Sequence, residues 1–157
     1  MVPGACWTFP ERDGRGRVTG INRRYESGDK RAMAHSRRGL YLPDGYSVMP
    51  EPVLVPEGVS DAAALVAAGA TAFGRPDAGG GVEQLAELLA DDPRDVVILG
   101  DRDAKADGRW PGQVGADATA RRLTALLGRH VFKVMPPEGY KDVRLFINHL
   151  KGVCGVD

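Results

Sequence analysis

From Pro52 onward the chain alternates short apolar runs with stretches whose apolar residues recur three or four positions apart. Val53-Leu54-Val55 is the first such run, and Pro56-Glu57-Gly58-Val59 turns away from it. Ser60 is placed to cap a helix through residues 61–68, whose alanines permit close approach to a sheet and which Gly69 stops. Residues 70–73 read as a second strand. After the loop that ends in Gly79-Gly80-Gly81, the spacing of Val82, Leu85, Leu88 and Leu89 predicts a helix. Asp95 then opens Val96-Val97-Ile98-Leu99, four large aliphatics in a row, the pattern of a strand buried on both faces. A polar loop over residues 104–114 leads to a helix with Ala116, Ala120, Leu123 and Leu127 on one face. Residues 131–135 read as a fourth strand and residues 142–150 as a last helix. This rhythm predicts an α/β fold: a parallel four-stranded sheet flanked by helices.

The first fifty residues follow a different pattern. Phe9 to Arg24 reads as a hairpin around Asp13-Gly14, a tight-turn signal, with Val18 and Ile21 in its second strand. Residues 25–38 are polar and interrupted by glycine, so an irregular segment is expected. Gly39 to Leu42 is one more short strand, ending at Pro43-Asp44-Gly45, and Pro50 and Pro52 flank a junction. The predicted organisation is a small basic β-rich segment over 1–50, the α/β domain over 51–151 and a tail over 152–157. A length of 157 residues, with 43% hydrophobic and 27% charged, suits one such domain plus an appendage. No apolar run approaches the ~18 residues of a membrane span. Residues 1–10 lack the basic-then-apolar form of a secretory signal. Cys6 and Cys154 stand alone, which suggests neither a disulfide framework nor a zinc site and fits a reducing, cytoplasmic setting.

A net charge of zero conceals an asymmetry. Residues 1–50 carry nine Lys/Arg against five Asp/Glu, and the remainder carries twelve against sixteen. A basic arm on an acidic domain suits a phosphate polymer as partner and a carboxylate metal site in the domain. A solvated loop surface accounts for the same charges. On the first reading Arg23, Arg24, Lys30, Arg37 and Arg38 contact nucleic-acid phosphates.

The candidate chemistry lies past the strand ends. Asp101 and Asp103 follow Gly100 at i and i+2, a spacing that points both carboxylates the same way beyond the carboxyl end of a strand. Open α/β sheets bind ligands at that edge. Like charges placed together repel unless a cation joins them, so a hard divalent metal, Mg²⁺ or Mn²⁺, is the simplest purpose. A surface turn is the plainer alternative. Glu57 leaves another strand at the same edge, although a Glu before a helix also serves the helix dipole. The Glu138-Gly139-Tyr140 turn brings Lys141 and Asp142 back over this edge. Asp142 there either adds a carboxylate or only starts the last helix, and Lys141 offsets negative charge or meets a phosphate. Gly79-Gly80-Gly81 is either a phosphate cradle or a flexible loop. No Walker A motif is present, no tyrosine stands out as a topoisomerase nucleophile, and His35, His130 and His149 lack ligand spacing.

Three segments together resemble the signature motifs of the Toprim domain: Val55 to Leu65, Val97 to Ala104 and Pro137 to Asp142. That domain is shared by bacterial-type primases, type IA and type II topoisomerases, and some nucleases and recombination proteins. The resemblance covers about Pro52 to Leu150. The upstream run from Phe9 to Arg24 is similar to the segment that precedes Toprim in bacterial and phage primases, which narrows the resemblance to the primase type. It implies Glu57 as the acidic catalytic residue and Asp101 and Asp103 as a metal-binding, catalytic pair. Asp61 and Asp142 match further acidic positions that assist metal binding, and Arg24 matches a basic residue of the nucleotide or template surface. The family's nearby lysine has no clean counterpart; Lys30 or Arg31 matches only with a shift. Pro56 stands where a strand aliphatic is usual, and the loop over 105–113 is longer than in chromosomal primases, closer to phage and plasmid types.

The function this implies is metal-dependent nucleotidyl transfer on a template: RNA primer synthesis with single-stranded DNA and nucleoside triphosphates as partners, and a replicative helicase as a further one. Carboxylate-held ions stabilise the attacking 3′ oxygen and the leaving pyrophosphate, in pairs ~3.5–4 Å apart where two are bound. Two alternatives use the same residues. One is a non-catalytic nucleic-acid-binding module; the other is a Mg²⁺-dependent nuclease with water as nucleophile.

Overall fold

Val53, Val55, Val96 and Ile98 alternate along their strands with Leu54, Val97 and Leu99, and the two sets enter different cores. That division organises the computed structural model, which describes residues 5–154. Residues 1–4 and 155–157, and with them part of the expected start and tail, lie outside the described residues.

Strands β4 (Val53–Val55), β5 (Thr71–Ala72), β6 (Val96–Leu99) and β7 (Phe132–Val134) form a four-stranded sheet. Their order is β5-β4-β6-β7, all parallel, with Val53 opposite Val96 and Leu99 opposite Val134. Helices α1 (Val59–Ala67) and α4 (Val143–Cys154) cover one face, where Ala62, Leu65, Val143 and Ile147 meet Leu54, Val97 and Leu99. Helices α2 (Val82–Leu89) and α3 (Pro111–Leu127) cover the other with Leu85, Leu89, Ala116, Ala120 and Leu123. Both central strands are thus buried on two faces, as their unbroken aliphatic runs require. The sheet matches the expected fold.

The winding places the site. From β4 the chain crosses through α1 to β5 at one side, then returns past β4 through α2 to β6 and continues outward through α3 to β7. Connections from the adjacent strands β4 and β6 therefore leave on opposite faces, α1 on one and α3 on the other. This is the switch point at which a crevice opens outside the carboxyl ends of a parallel sheet.

The amino-terminal strands β1 (Cys6–Arg12), β2 (Val18–Tyr25) and β3 (Lys30–Ala32) make an antiparallel sheet in the order β1-β2-β3. Asp13 closes the hairpin by accepting from the backbone N–H groups of Arg15 and Arg17, each at 3.0 Å. The short run at Leu40 and Tyr41 links the two sheets: Leu40 exchanges both backbone hydrogen bonds with Arg12, and Tyr41 exchanges both with Gly74.

Three local expectations are corrected. β3 lies inside the segment expected to be irregular, because Lys30 pairs with Arg24 on the strand already formed. Ser60 does not cap α1: the cap position is Gly58, whose φ of 85° suits glycine, and Ser60 sits inside the first turn. Helix α3 begins at Pro111, within the expected loop; proline at the first helical position has no N–H to leave unpaired. Among the described residues no helix is long and apolar enough to cross a membrane.

Candidate active site

Glu57 lies two residues past β4, after Pro56. Its pairing with Arg75 continues the parallel ladder past the strand end, with the Gly58 N–H donating to the Arg75 carbonyl at 2.9 Å. Asp101 and Asp103 follow β6, one strand over. Asp103 accepts from the backbone N–H of Gly112 at 2.7 Å and lies 3.5 Å from the Lys105 ammonium. A Cβ at position 112 would stand 2.7 Å from Asp103 Oδ1 and 2.9 Å from the Asp101 Cβ, so only glycine lets the start of α3 approach this loop. Between the two aspartates Arg102 points elsewhere. Its backbone N–H donates to the Lys141 carbonyl and its Nε to the Pro136 carbonyl, both at 2.7 Å. The loop after β7, which carries Lys141 and Asp142, is thereby tied to the loop after β6.

Asp61 on α1 and Asp142 before α4 are buried, 6% and 5% exposed, and Arg144 joins them. Its Nε is 3.3 Å from Asp61 and its Nη2 3.6 Å from Asp142. Asp142 also accepts from the Leu145 N–H at 2.8 Å, the bond of a helix cap. Charge crowding shows in the protonation equilibria. Burial, then the charges of Asp61, Glu57 and Asp142, push the Asp101 carboxyl up to about 7 against the pull of Lys141. Burial and Asp142 push Asp61 up to about 6 although Arg144 opposes them. Glu57 and Asp101 enter no ion pair among the described residues, and no three of these carboxylates form a finished metal cage there. The donor set nonetheless suits a hard divalent cation: carboxylate oxygens from two adjacent strand ends, of which Glu57 and Asp101 have no ion-pair partner among the described residues and Asp101 is raised in part by the charge of Glu57.

The carboxylates form one wall of a cleft of about 410 Å³, reached by Glu57, Asp61, Asp101, Asp103 and Asp142. Arg24, Lys30 and Arg38 of the amino-terminal segment face them, and Lys141 and Arg144 also line the cleft. Arg24 is half-buried, and burial and the neighbouring Arg38 lower its guanidinium pKa. Arg38 spends part of its fork on Glu11, at 2.9 Å, and on the Pro76 carbonyl, at 2.6 Å. Arg23 and Arg37 are not brought to this cleft. Arg23 stacks over the Tyr25 ring at 5.8 Å, and Arg37 pairs through its backbone with Thr19. The glycine loop is no cradle: the N–H groups of Gly79 and Gly80 both turn back onto Asp77.

Sequence reasoning missed three residues. Arg144 sits in the first turn of a predicted helix, with no pattern to mark it. Gly112 fell in the expected loop. Arg75, 2% exposed, donates through Nη1 to the Ala78 carbonyl at 2.7 Å and to Thr119 Oγ1 at 2.9 Å. It is a buried cation close enough to Glu57 and Asp101 for their charges to oppose the lowering of its pKa by burial.

No protein-family model and no curated protein sequence matches the chain. Solved structures do. The DnaG catalytic core superposes with a TM-score of 0.67 at 23% identity over 92% of this chain and 48% of that one. The Escherichia coli primase catalytic core gives 0.66 at 23% over the same shares. The primase fragment of the bacteriophage T7 primase-helicase protein gives 0.54 at 17%, over 92% and 57%. The fold is that of the DNA primase catalytic core with its Toprim sheet, and the chain spans about half the length of the primase cores it matches.

Proposed function

We propose that the chain catalyses template-directed nucleotidyl transfer of the primase type, making RNA primers on single-stranded DNA from nucleoside triphosphates. The observation that carries this reading is the two-sided cleft: carboxylates from the ends of β4 and β6 face Arg24 and Lys30 of the other sheet, and Arg38 of the loop that follows it, across about 410 Å³. A nucleoside triphosphate needs both walls. Arginine and lysine hold its phosphates, and the carboxylates hold the cation that travels with them.

Glu57, Asp101 and Asp103 are proposed to hold Mg²⁺ or Mn²⁺, with Asp61 and Asp142 as the acidic surround. Bound there, a divalent ion would supply charge stabilisation for the attacking 3′ oxygen and the leaving pyrophosphate. The protein's own groups do the rest. Gly112 fixes the Asp103 carboxylate through its backbone N–H, and Arg102 ties down the loop that presents Lys141. Arg24 and Lys30, adjacent across β2 and β3, hold phosphates opposite the carboxylates. In the reaction the 3′ oxygen bonds to the α-phosphorus and gives up its proton to solvent, while the bond from the α-phosphorus to the bridging oxygen of the β-phosphate breaks and pyrophosphate leaves. Residues 51–151 are read as the catalytic unit and residues 1–50 as its nucleic-acid-facing arm. A helicase partner is proposed by analogy with the T7 primase-helicase protein. A cytoplasmic location is proposed together with that role.

Incubation with single-stranded DNA, labelled nucleoside triphosphates and Mn²⁺ or Mg²⁺ should yield short RNA products that disappear in Glu57→Gln and Asp101→Asn. Degradation of the DNA in place of primer would establish the nuclease. Binding with neither product would leave a non-catalytic module.

A further inference from the structure

Arg144 is a cation that the chain itself sets among the carboxylates. Its side chain is 45% exposed, whereas those of Asp61 and Asp142 are each 8% exposed. With Nε at 3.3 Å from Asp61 Oδ1, Nη2 at 3.6 Å from Asp142 Oδ2, and the Leu145 N–H at 2.8 Å from Asp142 Oδ1, three of the four oxygens in this lobe are engaged. An incoming divalent ion would have to displace a guanidinium that already bridges the pair. The other lobe is different. Glu57 and Asp101 have no ion-pair partner among the described residues. The arginine near them, Arg75, is buried, and its Nη1 is directed onto the Ala78 carbonyl and Thr119.

Resting on the reading above, in which these carboxylates hold a divalent cation, we infer that Arg144 fills the Asp61–Asp142 lobe as a built-in cation. The site then takes one divalent ion, at Glu57 and Asp101 with Asp103, and not a pair. The guanidinium takes the place of a second metal ion among the carboxylates. It lines the cavity beside Lys141, facing Arg24 and Lys30, where a ligand phosphate would meet it. A guanidinium offers directional N–H donors in place of exchangeable coordination sites.

Counting bound Mn²⁺ tests this on the full 157-residue chain, by the electron paramagnetic resonance signal of the free ion together with calorimetry. The wild type should bind one ion, and Glu57→Gln combined with Asp101→Asn should abolish that binding. Arg144→Gln should raise the count to two by freeing the Asp61–Asp142 lobe, and Arg144→Lys should keep it at one. Two ions in the wild type would overturn the inference whether or not the glutamine variant folds, as would a folded Arg144→Gln protein that still binds one. A wild type that binds no ion refutes the metal reading and this inference with it. One that binds a single ion yet makes no primer refutes the proposed activity and supports the count.

Discussion

Asp101 is the residue in which the physics of the site is most concentrated. Its carboxyl is raised from the ordinary 3.8 to about 7, first by burial and then by Asp61, Glu57 and Asp142. A raised acid pKa means that the folded state binds the proton more tightly than the unfolded chain does. Folding is therefore favoured by Asp101 at low pH, and that contribution is lost as pH climbs through about 7. Asp61, raised to about 6, acts in the same direction. The metal-free protein should lose thermal stability between pH 5 and pH 8, and Asp101→Asn should flatten that decline, since asparagine does not titrate. Mn²⁺ should restore stability most at the high end of the range, where the ion no longer competes with a proton. Melting curves at several pH values, with and without Mn²⁺, measure all three effects. A slope that Asp101→Asn leaves unchanged would assign the titration elsewhere.

Among the elements, β2 shows how strand geometry sorts a run of charge. Arg23 and Arg24 are adjacent in sequence, and successive side chains of a strand leave opposite faces. Arg24 consequently lines the cleft with Asn22, two residues away, while Arg23 stacks over Tyr25. The Lys30 partner of Arg24 in β3 lines the cleft too. Neutralising Arg24 and Lys30 together should weaken single-stranded DNA binding and lower the slope of log affinity against log salt by about 1–2, roughly 0.7 for each phosphate left without its cation. The matching change at Arg23 and Arg37 should leave the slope close to the wild-type value. Fluorescence anisotropy over a salt series separates the two pairs, and equal weakening by both would mean that the whole arm, not this face, meets the strand.

At the scale of the whole molecule, the cleft exists only while the two sheets keep their places, and the connection at Leu40 and Tyr41 holds them. Leu40 is fully buried within the core under α2 and α3, yet its backbone pairs with Arg12 of the other sheet. Tyr41 bonds Gly74 after β5 and meets Phe9 of β1 edge-on at 5.9 Å. Leu40→Ala would open a cavity costing about 2–5 kcal/mol, as for other buried leucines. Because the same residue joins both sheets, probes in each should report one cooperative unfolding transition, shifted together. A variant in which the amino-terminal sheet melts first would show that the joint is weaker than its hydrogen bonds suggest.

The parallel sheet, its four helices and the position of Glu57, Asp101 and Asp103 at one edge were legible along the chain, because period and burial are local properties. Four aliphatics in a row, mostly β-branched and bounded by Asp95 and Gly100, read as a strand covered on both sides, and a carboxylate that follows such a strand emerges at its carboxyl end. Helix ends were less legible. Pro111 and Gly112 look like loop residues until one sees that proline has no N–H to lose and that glycine alone fits against Asp103. What pairs with what across distance was decided only by the tertiary structure. Arg144 meets Asp61, 83 positions away, and Arg75 meets Thr119, 44 away. Nothing in the neighbourhood of either arginine distinguishes it from the solvated arginines of the amino-terminal arm. Whether a charge is a surface ornament or a buried counter-ion depends on the chain segments folded against it, and those come from elsewhere in the sequence.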